Sequence, residues 1–66
     1  MFYLKDIKTG KYVDIVNGRT GLTVRWRTET RSAVEWSTIE GAAHALATLE
    51  NLGAIGRMTT TIVKED

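Results

Sequence analysis

The spacing of the apolar residues changes once along the chain, and this change limits the folds that the chain can adopt. In the N-terminal half, apolar and polar residues alternate, as in strands that bury one face. From residue 39 the apolar residues recur at intervals of three and four, which is typical of an amphipathic helix. Residues 58–64 are rich in threonine and β-branched residues and predict a last strand. The sequence therefore predicts an α+β protein with the order β-β-β-α-β, in which an antiparallel sheet of three to four strands packs on one helix (about 38–52).

Turn residues divide the N-terminal half into three predicted strands, over residues 2–7, 12–16 and 22–28. Gly10 can supply the positive φ that a tight turn after the first strand needs. The second turn is predicted over residues 17–21, in which Asn17-Gly18 is a strong hairpin signal. The order of the strands beyond the first hairpin, and whether the last strand is central or at an edge, stay open.

The predicted helix has a start signal and a stop signal. Ser37 and Glu40 have the spacing of a capping box, and Trp36 just before them is predicted to pack as a hydrophobic staple. Gly53 is the expected C-terminal stop. The predicted inward stripe consists of Ile39, Ala42, Ala43, Leu46 and Leu49.

A chain of 66 residues predicts a single domain with a small core. Because it contains no cysteine, neither disulfides nor thiolate metal sites can reinforce that core. A homodimer would bury more apolar surface, so this alternative stays open. The predicted core consists of Phe2, Leu4, Val13, Ile15, Leu22, Val24, Trp26, Val34, Trp36, Ile39, Leu46, Leu49, Ile55 and Ile62.

Composition and motifs argue against several classes of protein. No apolar run approaches the roughly 18 residues that span a bilayer, and the first residues lack a basic leader, so we expect neither a membrane protein nor a signal peptide. His44 is the only histidine, and the chain has no cysteine that could act with it as a nucleophile or a metal ligand. The glycines do not precede a helix as a phosphate-binding loop does. We therefore expect a cytoplasmic protein that is not an enzyme and has no cofactor and no metal.

The charge is divided unequally between the two halves of the chain. Residues 1–31 carry seven Lys and Arg against three Asp and Glu, a net +4, whereas residues 32–66 carry two against five, a net −3. The alternation predicts that the basic and aromatic side chains share the sheet face that is turned away from the helix. The candidate binding residues on this face are Lys5, Tyr3, Tyr12, Arg25 and Arg27.

Two segments resemble a group of small uncharacterised proteins that are encoded by phages and prophages of Gram-positive bacteria. One segment is the opening hairpin, residues 3–13. The other is the start of the helix, in which Ala33, Trp36, Thr38, Glu40 and Ala42 match a pattern of that group. The resemblance implies an accessory protein that binds a host protein.

These observations lead to a ranked set of functional hypotheses. The first is a non-enzymatic interaction module whose partner is a protein, either a host factor or a second copy of the chain. Tyr, Trp and Arg are common anchors of such interfaces. The alternative is a protein that binds single-stranded nucleic acid with the same basic face, because bases stack on exposed aromatic rings. An ordinary solvated sheet face is the reading that assigns these residues no function.

Overall fold

The computed structural model describes residues 1–65 and consists of a four-stranded antiparallel sheet and one helix. The strands are β1 (Phe2–Asp6), β2 (Tyr12–Gly18), β3 (Gly21–Arg27) and β4 (Thr60–Lys64), and their spatial order is β3-β2-β1-β4. A single 3-10 turn follows β3 at Thr30–Ser32, and helix α1 is Ile39–Asn51. The predicted fold class and element order are confirmed, with β4 at an edge of the sheet.

The first hairpin joins β1 and β2 through a turn that Asp6 holds in place. Its carboxylate accepts hydrogen bonds from the backbone N–H and the hydroxyl of Thr9, at 2.7 and 2.9 Å. These two bonds hold the pKa of the Asp6 carboxyl below its ordinary value. Gly10 has the predicted positive φ, +74°. Because the chain turns here, β1 ends at Asp6 and does not reach residue 7 as predicted.

The second hairpin has longer strands and a shorter turn than predicted. β2 and β3 pair from Tyr12 and Arg27 to Gly18 and Gly21, so Arg19 and Thr20 form the turn. The turn thus lies at the centre of the predicted segment, residues 17–21, whose outer residues belong to the two strands. The positive φ that the turn requires, +117°, occurs at Gly21.

Helix α1 begins one residue later than the capping box predicts. The Thr38 hydroxyl accepts a hydrogen bond from the Gly41 N–H at 3.1 Å, so Thr38 is the N-cap and Ser37 is not. The staple position thus passes from Trp36 to Ser37. At the other end Gly53 follows the C-cap with a φ of +73°, which confirms the predicted stop.

The helix buries a narrower stripe than the sequence suggests. Ala42 and Leu49 are buried, and Ala45 and Leu46 are partly buried against the core. The predicted inward positions of Ile39 and Ala43 are wrong, because both side chains are exposed on the flank of the helix. The buried cluster is Leu4, Val13, Ala42, Leu49 and Ile55.

Helix α1 packs on β1 and β4, which determines how far the core extends across the sheet. On β3, Leu22 and Trp26 remain 40% and 39% exposed, which corrects their placement in the predicted core. Val24 between them is partly buried and packs against the core cluster.

The segment before the helix fills a gap between β1 and β2. Phe2 and Trp36 exchange two backbone hydrogen bonds of 2.8 and 2.9 Å, and the Val34 N–H donates to the Val13 carbonyl at 3.2 Å. As in a strand, neighbouring side chains point to opposite faces. Trp36 packs against the core on the helix side, whereas Glu35 lies on the other side.

The position of the second turn can be tested with two alanine substitutions. We expect Gly21→Ala to lower the free energy of unfolding by at least about 1 kcal/mol, because alanine is strained at this positive φ even though the site is open. Gly18→Ala is the matched control, since a Cβ there would meet only the Gly21 carbonyl oxygen at 3.8 Å. Urea unfolding of both variants measures the difference. A larger loss in Gly18→Ala would contradict this turn.

Candidate protein interface at strand β3

The pairing register places all five predicted binding residues on the face of the sheet opposite the helix, which we call the outer face. Lys5 lies opposite Tyr12 in the first hairpin, and Tyr12 lies opposite Arg27 in the second. Directly paired residues of antiparallel strands share a face, and so do residues two positions apart. Tyr3 and Arg25 therefore belong to the same face, although the five side chains differ in how far solvent reaches them.

The two tyrosines are buried on this face. Tyr3 is 4% exposed and Tyr12 is 7% exposed, and their rings meet edge to face with the centroids 5.9 Å apart. The Tyr3 hydroxyl donates to Glu35 at 3.0 Å, and the Tyr12 hydroxyl donates to the Glu65 carboxylate at 2.7 Å. The expectation of an exposed aromatic surface is thus wrong for these residues, because the segment before the helix and the residue after β4 cover them.

Both carboxylates also change the acidity of the phenols. The hydrogen bond to Glu65 raises the pKa of Tyr12, and burial adds to this effect. For Tyr3 burial is the larger cause of a raised pKa, followed by the hydrogen bond to Glu35. Ionising either phenol would place two negative charges side by side. The tyrosines therefore act as hydrogen-bond donors within the fold.

Two of the three predicted cationic residues are occupied by contacts within the chain. The Lys5 ammonium lies 3.8 Å from the Glu65 carboxylate and 5.3 Å from the centroid of the Tyr12 ring. The Arg27 guanidinium binds one oxygen of Asp14 through Nε at 3.1 Å and Nη2 at 3.0 Å.

Arg25 differs from these residues because its charge has no counter-ion among residues 1–65. Asp14 lies directly opposite Arg25 in the register, yet its carboxylate binds the diagonal Arg27 instead. Arg25 is exposed, so its guanidinium can bind a group from another molecule. Of the five predicted residues, it alone combines exposure with an unpaired charge.

The backbone of β3 has hydrogen-bonding groups that face away from the sheet. Lys11, just before β2, and Val13 of β2 direct their carbonyls away from β3, towards Asp6 and Val34. Backbone groups alternate in direction along a strand, so Tyr12 points towards β3 and exchanges bonds with Arg27. Arg25 and Thr23 likewise point towards β2, so the residues of β3 that alternate with them direct their N–H and C=O groups away from the sheet. They are Leu22, Val24 and Trp26.

Within residues 1–65, the edge of β3 that faces away from β2 pairs with no other strand along its whole length. In the sheet of the described residues, β3 has β2 as its only neighbour. Leu22 and Trp26 are exposed on the helix side of this edge, and Thr23 and Arg25 are exposed on the outer face. A hollow of about 240 Å³, rimmed by Asp6, Thr9 and Lys11, adjoins Trp26. Sequence reasoning missed Leu22 and Trp26 as surface residues, because alternation identifies their common face but not the strand's position in the sheet.

A second surface depression lies at the turn of the first hairpin. It has a volume of about 490 Å³, and its apolar walls are Ile7 and Met58, which are 65% and 89% exposed. Met58 has a positive φ of +61°, and its N–H donates to Glu50 at 3.2 Å. Asp6 also lines the depression, but its carboxylate is already engaged by Thr9. Asp6 and Thr9 stabilise the turn, and the depression is also lined by an exposed lysine, Lys8.

Within residues 1–65, no three side chains of the His, Cys, Asp and Glu types converge to hold a metal ion. In the same range no helix is long and apolar enough to cross a membrane. No protein-family model, curated protein or solved structure matches the chain. A functional proposal therefore rests on the geometry of β3.

The tyrosine contacts predict how stability depends on pH. Below about pH 10 both phenols keep their protons in the folded and the unfolded chain, and their contribution to stability is fully present. Above this pH the unfolded chain releases the protons while the folded protein retains them. We therefore expect the free energy of unfolding to fall as the pH rises from about 10 through the raised pKa values of Tyr3 and Tyr12.

Urea unfolding between neutral pH and about pH 11 measures this dependence. The double variant Tyr3→Phe, Tyr12→Phe is the control, because it lacks the two phenolic hydroxyls and keeps every other side chain. We expect a smaller fall in the variant than in the natural sequence. Equal falls in both proteins would contradict the role given to the two hydroxyls.

Proposed function

We propose that the protein is a non-enzymatic interaction module that binds a partner protein by adding an extended segment of that partner to β3. The supporting observation is the free edge of β3, where Leu22, Val24 and Trp26 direct their backbone groups outward. An unpaired edge is a template for another strand, and peptide recognition by strand addition uses such edges.

The side chains of β3 add specificity to this backbone template. Trp26 and Arg25 belong to residue types that often dominate binding energy, yet they lie on opposite faces of the strand. A ligand that covers one face of the sheet would contact only one of them. A chain that lies along the edge contacts both, because its own side chains alternate between the faces.

The other edge of the sheet is less suited to the same role. β4 has five residues, whereas β3 has seven. Thr60 at the start of β4 is only 6% exposed, so part of that edge is already covered. On the helix side, the Lys64 ammonium lies 5.8 Å from the centroid of the Phe2 ring. These contacts favour β3 as the docking strand.

We propose that the partner is an acidic protein of the host cell. The resemblance to small phage and prophage proteins supports a host protein as the partner, and this part rests on the sequence resemblance alone. A partner that approaches β3 meets the basic half of the chain, in which residues 1–31 carry a net charge of +4. A positive surface speeds the encounter with an acidic partner.

Site-specific photo-crosslinking tests the proposed docking strand. A benzophenone amino acid replaces Thr23 on β3 in one protein and Thr61 on β4 in another, since both threonines are exposed on the outer face of an edge strand. We expect the Thr23 probe to form an adduct with a partner from a bacterial lysate, and the Thr61 probe to form little of it. Gel electrophoresis with mass spectrometry measures the adduct.

The second part of this experiment reverses the charge at Arg25. We expect Arg25→Glu to reduce the Thr23 adduct by about tenfold, the loss that an anchoring arginine produces at an interface. Arg31→Gln is the control, because Arg31 is exposed, lies outside β3 and pairs with Glu29. Adducts that form equally from Thr23 and Thr61, or that survive Arg25→Glu unchanged, would contradict binding at β3.

The structure gives less support to single-stranded nucleic acid as the ligand. Tyr3 and Tyr12 are buried, so they offer no platform on which a base could stack. Trp26 is exposed, but on the face opposite Arg25. In a fluorescence titration with a labelled oligonucleotide at about 50 mM salt, we expect no binding. Binding that weakens steeply with added salt would favour the nucleic-acid alternative.

A further inference from the structure

We infer that the segment bound by β3 alternates acidic with aliphatic residues, its acidic side chains on the outer face beside Arg25 and its aliphatic side chains on the helix side. This inference rests on the proposed function and specifies the chemistry of the partner. Three features support it: the unpaired charge of Arg25, the apolar stripe on the helix side, and the poor fit of β3 to a second copy of itself.

The charge of Arg25 calls for a carboxylate from outside the chain. β3 contains two arginines and no acidic residue. The one carboxylate that β2 places opposite Arg25 is that of Asp14, and Arg27 holds it at 3.0 Å. A carboxylate on an added strand can pair with Arg25 without breaking this contact. Opposite charges across neighbouring strands favour pairing, and like charges oppose it.

The pairing register that an added strand would have with β3 strengthens the preference for a carboxylate opposite Arg25. Arg25 directs its backbone groups towards β2, so it would form a non-hydrogen-bonded pair with the residue of an added strand. In such pairs the Cα atoms lie about 4.5 Å apart and the side chains are closer than in hydrogen-bonded pairs. The side chain opposite Arg25 on an added strand would therefore lie close to the guanidinium, where its charge has a strong effect on binding.

The helix side of the same edge requires apolar partners. Leu22, Val24 and Trp26 lie in a row along β3, and the helix packs on the other side of the sheet centre, on β1 and β4. Aliphatic side chains of an added strand would continue this row and cover the exposed parts of Leu22 and Trp26. Burying this apolar surface favours binding.

A second copy of the chain fits the edge less well. In a symmetric antiparallel pairing centred on Val24, Leu22 would meet Trp26 of the second copy, which suits the helix side. On the outer face, however, Arg25 would meet Thr23 of the second copy. Neither β3 strand would bring a carboxylate to the two arginines. The charges therefore favour an acidic segment over self-association.

Synthetic peptides test this inference directly. Three fluorescent peptides of seven residues, the length of β3, alternate valine with glutamate, glutamine or lysine. Fluorescence anisotropy with the full chain measures their affinities at low and high salt. We expect the glutamate peptide to bind at least about tenfold more tightly than the lysine peptide at low salt. The difference should shrink at about 1 M salt, where charges are screened within about 3 Å.

Two protein variants and a nuclear magnetic resonance titration show where the peptide binds on the protein. Arg25→Gln should remove most of the preference for glutamate, whereas Arg31→Gln should preserve it. The amide resonances of Leu22, Val24 and Trp26 in a nitrogen-proton correlation spectrum should shift on addition of the glutamate peptide. A glutamate peptide that is N-methylated at every second residue, on the side that faces β3, should not bind.

The possible outcomes separate the inference from the proposed function. If the three peptides bind equally and shift the β3 amides, the acidic partner is wrong and strand addition at β3 stands. If no peptide shifts these amides and the Thr23 probe forms no adduct, both proposals are wrong. If the free chain forms dimers in which the β3 amides are protected from exchange, a second copy occupies the edge and the inference is overturned.

Discussion

The width of one helix is the constraint on which the rest of this structure depends. An α-helix with its side chains is about 10–12 Å wide, whereas strands lie about 4.8 Å apart, so a single helix cannot cover four of them. Here α1 packs on β1 and β4, and Trp36 adds cover beside them. On β3, Val24 still packs against the core cluster, but Leu22 and Trp26 lie beyond this cover and stay exposed.

The outer face of the sheet is covered by a different means. Two carboxylates, from Glu35 and Glu65, accept hydrogen bonds from the buried tyrosines. Both acids belong to segments that lie next to strands and not to a second layer of secondary structure. A small chain can thus bury aromatic rings on both sides of one sheet, because a phenol needs only one partner for its hydroxyl. The covered part of this face ends before β3.

Local signals in the sequence predicted the helix and the strands. The packing of these elements against each other was harder to predict from the sequence. Alternation in residues 2–27, the turn at Gly10 and the stop at Gly53 are encoded by a few neighbouring residues, and they appear in the structure. The helix cap moved from Ser37 to Thr38 because two adjacent hydroxyls compete for one position. The second turn is confined to the centre of the predicted segment, because β2 gains further pairs by extending to Gly18.

The candidate site was only partly predictable, because local signals show which residues share a face but not which distant residues contact them. Alternation correctly grouped Tyr3, Lys5, Tyr12, Arg25 and Arg27 on one face. It could not show which of them the chain would use internally, since the contacts of Tyr12 with Glu65 and of Tyr3 with Glu35 join distant residues. Nor could it show that Trp26 lies at an edge. That fact depends on the strand order, which a single sequence does not encode locally.

The pairing of β1 with β4 has a consequence for how the chain reaches this structure. β1 lies in the interior of the sheet, yet its longest pairing is with the strand that comes last in the chain, and the Met1 ammonium donates to the Glu65 carbonyl across 64 residues. Contacts of such separation form slowly, whereas the β2–β3 hairpin closes over two residues. Until β4 docks, β1 also has an unpaired side. Because an unpaired strand side can pair with another chain, β4 protects β1 from aggregation by covering this side.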